Sequence, residues 1–309
     1  MSDAPRPAAP ATADTVPLRR APRLMPALGK GVLTGIGKRP HPDSALPATR
    51  LVLPAARIDP AAVAAYARLC GFPATGPLPV TYPHILGFPL AARLMSARAF
   101  PLPLLGLVHT GITIDQRAPL HLKDRLELAV YAAELRTHRR GTEVVMTTEA
   151  RRDGRLVWSD RSSYLARHRA AADRADPTSG NAPDAPADTS ADLPVRAEWQ
   201  LAADLGRRHA GVSGDYNPIH LHPLTARLLG FPRAIAHGMW TFARCAAEAV
   251  PSGAATLRIG AEFRAPVLLP ATVSYAQGPS DDGRGTAFRL HGGPPDRRRL
   301  HLSGEVRTP

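Results

Sequence analysis

The stretch Ser213-Gly214-Asp215-Tyr216-Asn217-Pro218-Ile219-His220 places a carboxylate and an imidazole five residues apart on one segment of the chain. Gly214 can adopt backbone angles that residues with a Cβ avoid. Asn217-Pro218 favours a tight turn, because proline fixes its own φ and the asparagine side chain can bond to the local backbone. Asp215 and His220 are therefore expected to project from one ordered loop. Histidine is available in both protonation states near neutral pH, so this pair suits proton transfer.

A second segment, Ile235-Ala236-His237-Gly238-Met239, precedes a helical run from Trp240 to Ala249. A glycine just before a helix lets a backbone N–H approach a ligand closely, and the N-terminus of a helix favours negative charge. The backbone N–H of Gly238 is thus a candidate oxyanion donor. Together the two segments offer an acid, a base and a group that can stabilise a developing negative charge.

The runs SGDYNPIH (213–220) and GFPRAIAHGMW (230–240), with Ala226 between them, closely resemble the hydratase signature of the MaoC-like family. These are (R)-specific enoyl-thioester hydratases and 3-hydroxyacyl-thioester dehydratases of the hot-dog fold. The resemblance implies that Asp215 and His220 are catalytic and that Gly238 forms the oxyanion hole. It also implies loop support from Ser213, Gly214, Asn217 and Pro218. The implied reaction is reversible addition of water across the 2,3 double bond of an enoyl thioester.

Two positions depart from the family pattern. His209-Ala210 stands where the family usually has an aromatic residue a few positions before the SGD triplet, and His222 stands where the family usually has Asp or Ser. Neither departure removes a catalytic group. Both bear on the shape of the pocket and on local pKa values.

The chain has 309 residues and a hydrophobic content of 44%, which is typical of a globular protein with a substantial core. No apolar run approaches the roughly 20 residues that span a bilayer, and the N-terminus lacks the features of a signal peptide. The two cysteines, Cys70 and Cys245, are far apart and show no metal-ligand spacing. We therefore predict a cytoplasmic protein with no stable membrane insertion, no metal, and no cofactor beyond the coenzyme A or acyl carrier protein that carries the substrate.

The formal net charge of +13 comes almost wholly from arginine, since lysine occurs only at Lys30, Lys38 and Lys123. A basic surface can attract nucleic acid, anionic membranes, the phosphates of coenzyme A, or an acidic carrier protein. The sequence contains no zinc finger, no RRM signature and no interleaving of aromatic and basic residues, so a nucleic-acid partner is not expected. Charge alone does not choose among the other partners, and the family resemblance implies that the partner is an acyl-CoA or acyl carrier protein thioester.

Along the chain, residues 1–48 are predicted to be a basic, partly disordered extension, with little order in residues 1–22 and a short amphipathic helix from Leu24 to Ile36. Residues 49–168 follow the hot-dog order, in which helices precede several antiparallel strands. The predicted helices are at 61–69 and about 90–100, and the predicted strands are at 51–53, 106–116, 124–135, 142–151 and 155–165. Residues 169–194 are rich in Ala, Asp, Pro, Thr and Ser and are predicted to form a disordered linker.

Residues 195–309 repeat this plan. Helices are predicted at about 201–210, near 223–229 and from Met239, followed by strands near 255–264, 271–277, 285–291 and 299–306. Leu86-Gly87 aligns with His237-Gly238, and Arg117-Ala118-Pro119 aligns with Arg264-Ala265-Pro266 after a short gap. The predicted fold class is therefore α+β, a double hot-dog in which two tandem antiparallel sheets each wrap a central helix.

The duplication predicts an internal pseudo-dimer of hot-dog domains with one catalytic centre, because no Asp-x-Asn-Pro-x-His occurs before residue 215. A further dimer of whole chains stays open. The catalytically silent first half would be free to shape the acyl tunnel, and His84 and His109 are interpreted as packing or tunnel residues. His237 is interpreted as a helix-start residue and His222 as a solvated loop histidine.

Two other functions are compatible with a hot-dog chain. A thioesterase would use related folds but typically different active-site motifs. A non-catalytic thioester-binding or assembly subunit would tolerate replacement of Asp215 and His220. The intact Asp-x4-His motif favours a hydratase or dehydratase over both.

Overall fold

The computed structural model describes residues 14–35, 37–104, 106–168, 193–294 and 298–309. The first half contains β1 (Asp14–Pro17), α1 (Leu24–Gly35), β2 (Thr49–Ala56), α2 (Pro60–Cys70), α3 (Tyr82–Met95), β3 (Leu107–Gln116), β4 (Leu126–His138), β5 (Gly141–Arg152) and β6 (Arg155–Arg167). The second half contains β7 (Val195–Leu201), α4 (Leu205–Ser213), α5 (Pro218–Leu221), α6 (Pro223–Leu228), α7 (Gly238–Ala249), β8 (Leu257–Phe263), β9 (Ala271–Pro279), β10 (Thr286–Gly292) and β11 (Arg299–Arg307).

All the strands belong to one sheet in the order β1-β2-β4-β5-β6-β3-β8-β11-β10-β9-β7. From β3 the order outward is β6, β5, β4 and β2, and from β8 it is β11, β10, β9 and β7. The two halves therefore have equivalent strand orders, and β1 is an additional strand beside β2. β3 and β8 pair antiparallel from Gly111 opposite Glu262 to Gln116 opposite Leu257, so backbone hydrogen bonds join the two halves. The double hot-dog fold is thus present, with both sheets continuous across this seam.

A long helix lies on the sheet of each half and is buried by it. α3 buries Leu90, Ala92 and Met95, and α7 buries Phe242, Ala243 and Cys245. The strands cover these helices with alternating apolar residues, which is the pattern of a sheet with one buried face. The two halves also meet away from the sheet, where Trp240 Nε1 on α7 donates a hydrogen bond to the Leu69 carbonyl of α2 at 3.1 Å.

Several predicted boundaries differ from the structure. The helix predicted at about 90–100 is α3, which begins at Tyr82 and ends at Met95. The predicted start follows Pro89, but this proline lies inside the helix, where packing of the buried face offsets the lost hydrogen bond. The second half begins with a strand, β7, that was not predicted; it occupies the position of β2, and the adjacent helix starts at Leu205 instead of Leu201.

The N-terminal extension is attached to both halves. The predicted lack of order in residues 1–22 is wrong for residues 14–17, because β1 pairs parallel with β2 and Leu18 is buried. The helix predicted from Leu24 to Ile36 is α1, and Leu24 packs beside Gly214 of the second half. Of the predicted linker (169–194), residues 169–192 lie outside the described residues, and so do residues 1–13 of the extension. Among the described residues no helix is long and apolar enough to cross a membrane.

Candidate active site

The loop that follows α4 begins with a glycine in the left-handed region. Gly214 has φ +75°, and its N–H donates to the Ala210 carbonyl to close the helix. Ser213 Oγ donates to the His209 carbonyl at 2.8 Å and accepts the Asp215 backbone N–H at 3.2 Å. The end of α4 therefore fixes the direction in which Asp215 leaves the helix.

Asp215 and Asn217 make the next turn by side-chain hydrogen bonds to the backbone. Asp215 Oδ1 accepts the Asn217 N–H at 3.1 Å, and Asn217 Oδ1 accepts the Ile219 N–H at 3.4 Å as the N-cap of α5. Pro218 occupies the first turn of α5, where its missing N–H costs no hydrogen bond. One carboxylate oxygen of Asp215 is thus engaged with the loop. The other, Oδ2, lies 3.7 Å from His237 Nε2.

His220 is buried and held in one tautomer. Its Nδ1 lies 2.8 Å from the Ile235 carbonyl. Because a carbonyl oxygen can only accept, Nδ1 is the donor and carries the hydrogen. Burial lowers the pKa of His220 to about 3, so the ring is neutral at physiological pH and Nε2 carries a lone pair. A ligand atom of His220 lies within 4.8 Å of a carboxylate oxygen of Asp215, close enough for one water molecule to contact both.

His237 completes the cluster, and this role was not predicted. The sequence interpretation of His237 as a helix-start residue is confirmed, because it is the N-cap of α7, but its side chain does not cap the helix. The ring stacks on His220 with centroids 3.6 Å apart. Its Nε2 donates to the Asp215 carbonyl at 2.9 Å, and burial lowers the pKa of His237 to about 4. The neutral ring therefore positions both members of the acid–base pair.

Gly238 is the first residue of α7, so its N–H belongs to the helical turn whose donors have no partner within the helix. A Cβ at this position would lie 3.2 Å from Phe263 Cε1, and the glycine lines the same cavity as Asp215 and His220. In the first half, Gly87 aligns with Gly238 in sequence but lies inside α3. Its N–H is therefore part of the helical hydrogen-bond ladder, and the first half has no equivalent donor at this point.

His209 lies where the family usually has an aromatic residue. It is buried, and its ring centroid is 4.5 Å from that of His237. Desolvation by burial holds the pKa of His209 well below its usual value, with the neighbouring histidines contributing in the same direction. The ring thus packs as a neutral aromatic group against His237. The departure from the family pattern was the only sequence signal that singled it out.

A cavity of about 540 Å³ opens onto these residues. Both halves contribute to its walls, so the site lies at their junction. Its lining includes Asp215, Asn217, His220, His237, Gly238 and Phe263 from the second half, and His84, Ile85, Phe88, Met95, His109 and Tyr164 from the first. The prediction that His84 and His109 are packing or tunnel residues is confirmed. His222 is exposed, and its Nδ1 caps α6 by accepting the Leu224 N–H at 3.2 Å.

Asp215, His220 and His237 also offer one ligand atom each within 4.8 Å of one another, a set that can bind a metal ion. The His237 nitrogen nearest the carboxylate is Nε2, which already donates its hydrogen to the Asp215 carbonyl. A metal ligand must supply a lone pair, so binding there would require a different tautomer and loss of this hydrogen bond. The arrangement suits proton transfer better than metal coordination, and the sequence prediction of a metal-free site stays a prediction.

Residues 178–283 match the family model described as the MaoC like domain. The chain is 35% identical over 226 residues to 3-hydroxyacyl-thioester dehydratase X of Mycobacterium tuberculosis, a match that covers 73% of this chain and 79% of that protein. Enoyl-CoA hydratase ChsH3 of the same organism is 29% identical over 147 residues, 43% of this chain and 49% of its own length. The crystal structure of HtdX from Mycobacterium tuberculosis matches with a TM-score of 0.70 and 31% identity, covering 84% of this chain and 100% of that chain.

The double hot-dog fold, the MaoC like domain match and the similarity to a named dehydratase and a named hydratase define a hot-dog hydro-lyase, in which Asp215, His220 and Gly238 line one cavity. Within this class the chain belongs to the MaoC-like dehydratase family, since its similarity to dehydratase X extends over most of both proteins. The predictions of family, fold class and enzyme class are confirmed.

Proposed function

We propose that the protein catalyses the reversible addition of water to trans-2-enoyl thioesters, with (3R)-3-hydroxyacyl thioesters as the products. The observation that carries the proposal is the placement of Asp215 and His220 in one cavity with the first N–H of α7. The Mycobacterium tuberculosis relatives named as a 3-hydroxyacyl-thioester dehydratase and an enoyl-CoA hydratase support the same reaction in its two directions.

In the hydration direction, the Asp215 carboxylate and His220 Nε2 hold the attacking water between them. His220 enters the reaction as a proton acceptor, because its Nδ1 hydrogen is committed to Ile235 and its Nε2 has a lone pair. The water oxygen bonds to C3 while the pair takes up the proton. The pair then returns a proton to C2, so that one water is added and no charge is left.

The thioester oxygen gains negative charge as C3 is attacked, since the electrons of the double bond move towards the carbonyl. The Gly238 N–H and the N-terminus of α7 stabilise that charge. Removing a donor of this kind typically costs about 100- to 1000-fold in rate. His237 holds the loop and the helix start together through its hydrogen bond to the Asp215 carbonyl. Ser213, Gly214, Asn217 and Pro218 keep Asp215 and His220 at this separation.

The carrier of the acyl group is coenzyme A or acyl carrier protein. An arginine-rich wall supports either carrier, because both bring phosphate and the carrier protein adds acidic side chains. The arginines lining the cavity are Arg136, Arg139, Arg140, Arg167 and Arg264. A rise in KM with ionic strength is expected for both carriers.

The two halves have different roles. The first half (49–168) supplies one wall of the substrate cavity and the second half (195–309) supplies the catalytic groups. The β3–β8 seam supports an internal pseudo-dimer, the equivalent of the pairing between separate hot-dog subunits. A further dimer of whole chains and a cytoplasmic location rest on sequence alone and stay predictions.

The test is loss of the conjugated enoyl-thioester absorbance with short, medium and long 2-enoyl-CoA substrates and with the same acyl groups on acyl carrier protein. The native protein is expected to hydrate at least one series, and Asp215→Asn and His220→Gln are expected to lose at least about 100-fold in kcat while remaining folded.

His222→Asn is the matched control. His222 is only two residues from His220, but it is exposed and serves as the N-cap of α6, a position at which asparagine is equally suitable. This variant should keep native kcat and KM. Native activity in Asp215→Asn and His220→Gln would support a non-catalytic thioester-binding subunit instead.

A further inference from the structure

Three aromatic rings of the first half form a stack on the wall of the cavity. The ring centroids of His84 and His109 are 5.9 Å apart with an interplanar angle of 10°, and those of His109 and Tyr164 are 4.5 Å apart at 16°. All three residues line the cavity that contains Asp215. Burial raises the pKa of the Tyr164 phenol far above its usual value, with smaller contributions from the carboxylates of Asp160 and Asp215. The first half therefore contributes three aromatic rings that carry polar atoms to the cavity wall.

His109 is directed inward by an irregularity in β3. The register between β3 and β6 shifts between His109 and Gly111, which is the signature of a β-bulge. Bulges often redirect a side chain next to an active site. The Nε2 atom of His109 is buried and has no hydrogen-bond partner among the described residues, and desolvation holds the pKa of the ring well below its usual value. The wall of the cavity thus includes a neutral imidazole whose buried Nε2 has an unused hydrogen-bonding position.

His84 is held rigidly beside it. Its Nδ1 lies 2.6 Å from Asp160 Oδ2, and both side chains are buried, with exposed fractions of 7% and 0%. A carboxylate bound to one imidazole nitrogen fixes the ring orientation and leaves the other nitrogen for a ligand. His84 lies on α3, which also supplies Ile85, Phe88 and Met95 to the cavity wall. The same wall therefore contains both polar and apolar side chains.

A plain hydrocarbon chain would fit this wall poorly. It would offer no hydrogen-bond partner to the buried His109 Nε2, and a buried polar atom left unpaired is unfavourable. A chain that carried one oxygen at this depth would supply a partner, while its methylene groups would pack on the apolar residues of α3.

We propose that His84, His109 and Tyr164 form a polar subsite that binds a hydroxyl or keto oxygen on the acyl chain, in addition to the oxygen at the reacting carbons. The preferred substrates are then oxygenated acyl thioesters. This inference rests on the proposed hydratase function and specifies its substrate class.

The first arm of the test uses the native protein. Hydration is measured for 2-enoyl-CoA thioesters of one chain length, one of them unsubstituted and the others carrying a single hydroxyl or keto oxygen at successive carbons beyond the double bond. At the position that reaches the subsite, the oxygenated thioester should have a kcat/KM at least about 10-fold above that of the unsubstituted one. If no oxygenated member exceeds the unsubstituted thioester, the inference is wrong.

The second arm removes the nitrogen and keeps the ring. His109→Phe should retain stacking with Tyr164 and Phe263 but should reduce the preference for the oxygenated thioester by about 10-fold, mainly through KM. His121→Phe makes the same chemical change in the first half away from the cavity lining and should leave the preference unchanged. If His109→Phe does not fold, binding of saturated acyl-CoA analogues with and without the oxygen to the native protein gives the same comparison.

The outcomes separate this inference from the proposed function. If no thioester of either kind is hydrated on either carrier, the proposed function fails. If thioesters are hydrated but His109→Phe raises KM equally for all of them, the histidine contacts an oxygen common to every substrate, such as a carrier-arm amide, and the inference of an oxygenated chain is overturned. A selective loss for the oxygenated thioester supports it.

Discussion

Gly206 allows α4 to lie directly against the backbone of His220, the residue proposed to supply the catalytic imidazole. A Cβ at this position would be 2.0 Å from the His220 carbonyl oxygen and 2.9 Å from its carbonyl carbon. These are backbone atoms, so no side-chain rotation can relieve the contact. Gly206→Ala is therefore expected to displace α5 relative to α4 and to move His220 away from Asp215.

The size of the effect follows from the geometry. Cβ atoms in proteins are almost never closer than 3.0 Å to another heavy atom, so the His220 backbone must move by about 1 Å. A displacement of 1 Å in a catalytic group can cost about 100-fold in rate, equivalent to about 2.7 kcal/mol in the activation barrier. Overpacking costs about 1–3 kcal/mol of stability, partly offset by the roughly 1 kcal/mol by which alanine favours a helix over glycine.

Gly211 provides a matched control in the same helix. It is exposed, and a Cβ there would meet no atom within 4 Å. Gly211→Ala should keep native kcat/KM and should gain up to about 1 kcal/mol of stability. Hydration kinetics and urea unfolding of the two variants measure both quantities. The reasoning is refuted if Gly206→Ala retains native kcat/KM, or if both variants lose activity to the same extent.

Three further predictions concern the histidine cluster. The free energy of unfolding should fall as the pH drops from about 6.5 towards 4, by about 1.4 kcal/mol per pH unit for each of His220 and His237. The reason is that burial lowers the pKa of both histidines in the folded state, so only the unfolded state binds protons in this pH range. Urea unfolding at several pH values should show this fall, and a free energy of unfolding that does not change with pH would contradict burial of the neutral rings. His237→Phe should retain the stacking on His220 but lose the hydrogen bond to the Asp215 carbonyl. Steady-state kinetics should then show kcat lowered by about 10-fold with little change in KM. A variant that does not fold, or in which kcat falls and KM rises to the same extent, would indicate a purely structural role. Chelation with EDTA should leave kcat/KM unchanged. If EDTA lowers kcat/KM and added Zn²⁺ restores it, the metal-free mechanism is overturned.

The catalytic segment could be predicted because its constraints are local. The spacing of Asp215 and His220, the glycine before them and the Asn217-Pro218 turn specify a loop through neighbouring backbone hydrogen bonds, and the structure contains those bonds. Apart from β1 and β7, the strands of both halves were also predicted within a few residues, because alternating apolar residues are a property of each strand by itself. The roles assigned to Asp215, His220 and Gly238 stay proposals until activity is measured.

Two features of the fold were not predicted because long-range packing decides them. Pro89 is tolerated inside α3, whose face is buried by the sheet, although a proline usually ends a helix. β7 forms because its residues pair with β9, from Val195 opposite Ala276 to Leu201 opposite Ala271. The sequence VRAEWQL does not reveal that partner, which lies seventy or more residues away.

By itself, the sequence indicated the family and the duplicated plan, and it predicted that Asp215 and His220 project from one loop, because these signals are carried by local motifs and local apolar patterns. Only the tertiary structure showed that His237 stacks on His220 and that His209 packs against His237. It also showed that His84, His109 and Tyr164 of the other half line the same cavity. These rings come from separate helices and strands. The two sets of rings face one cavity only after β3 pairs with β8 and brings the two halves together.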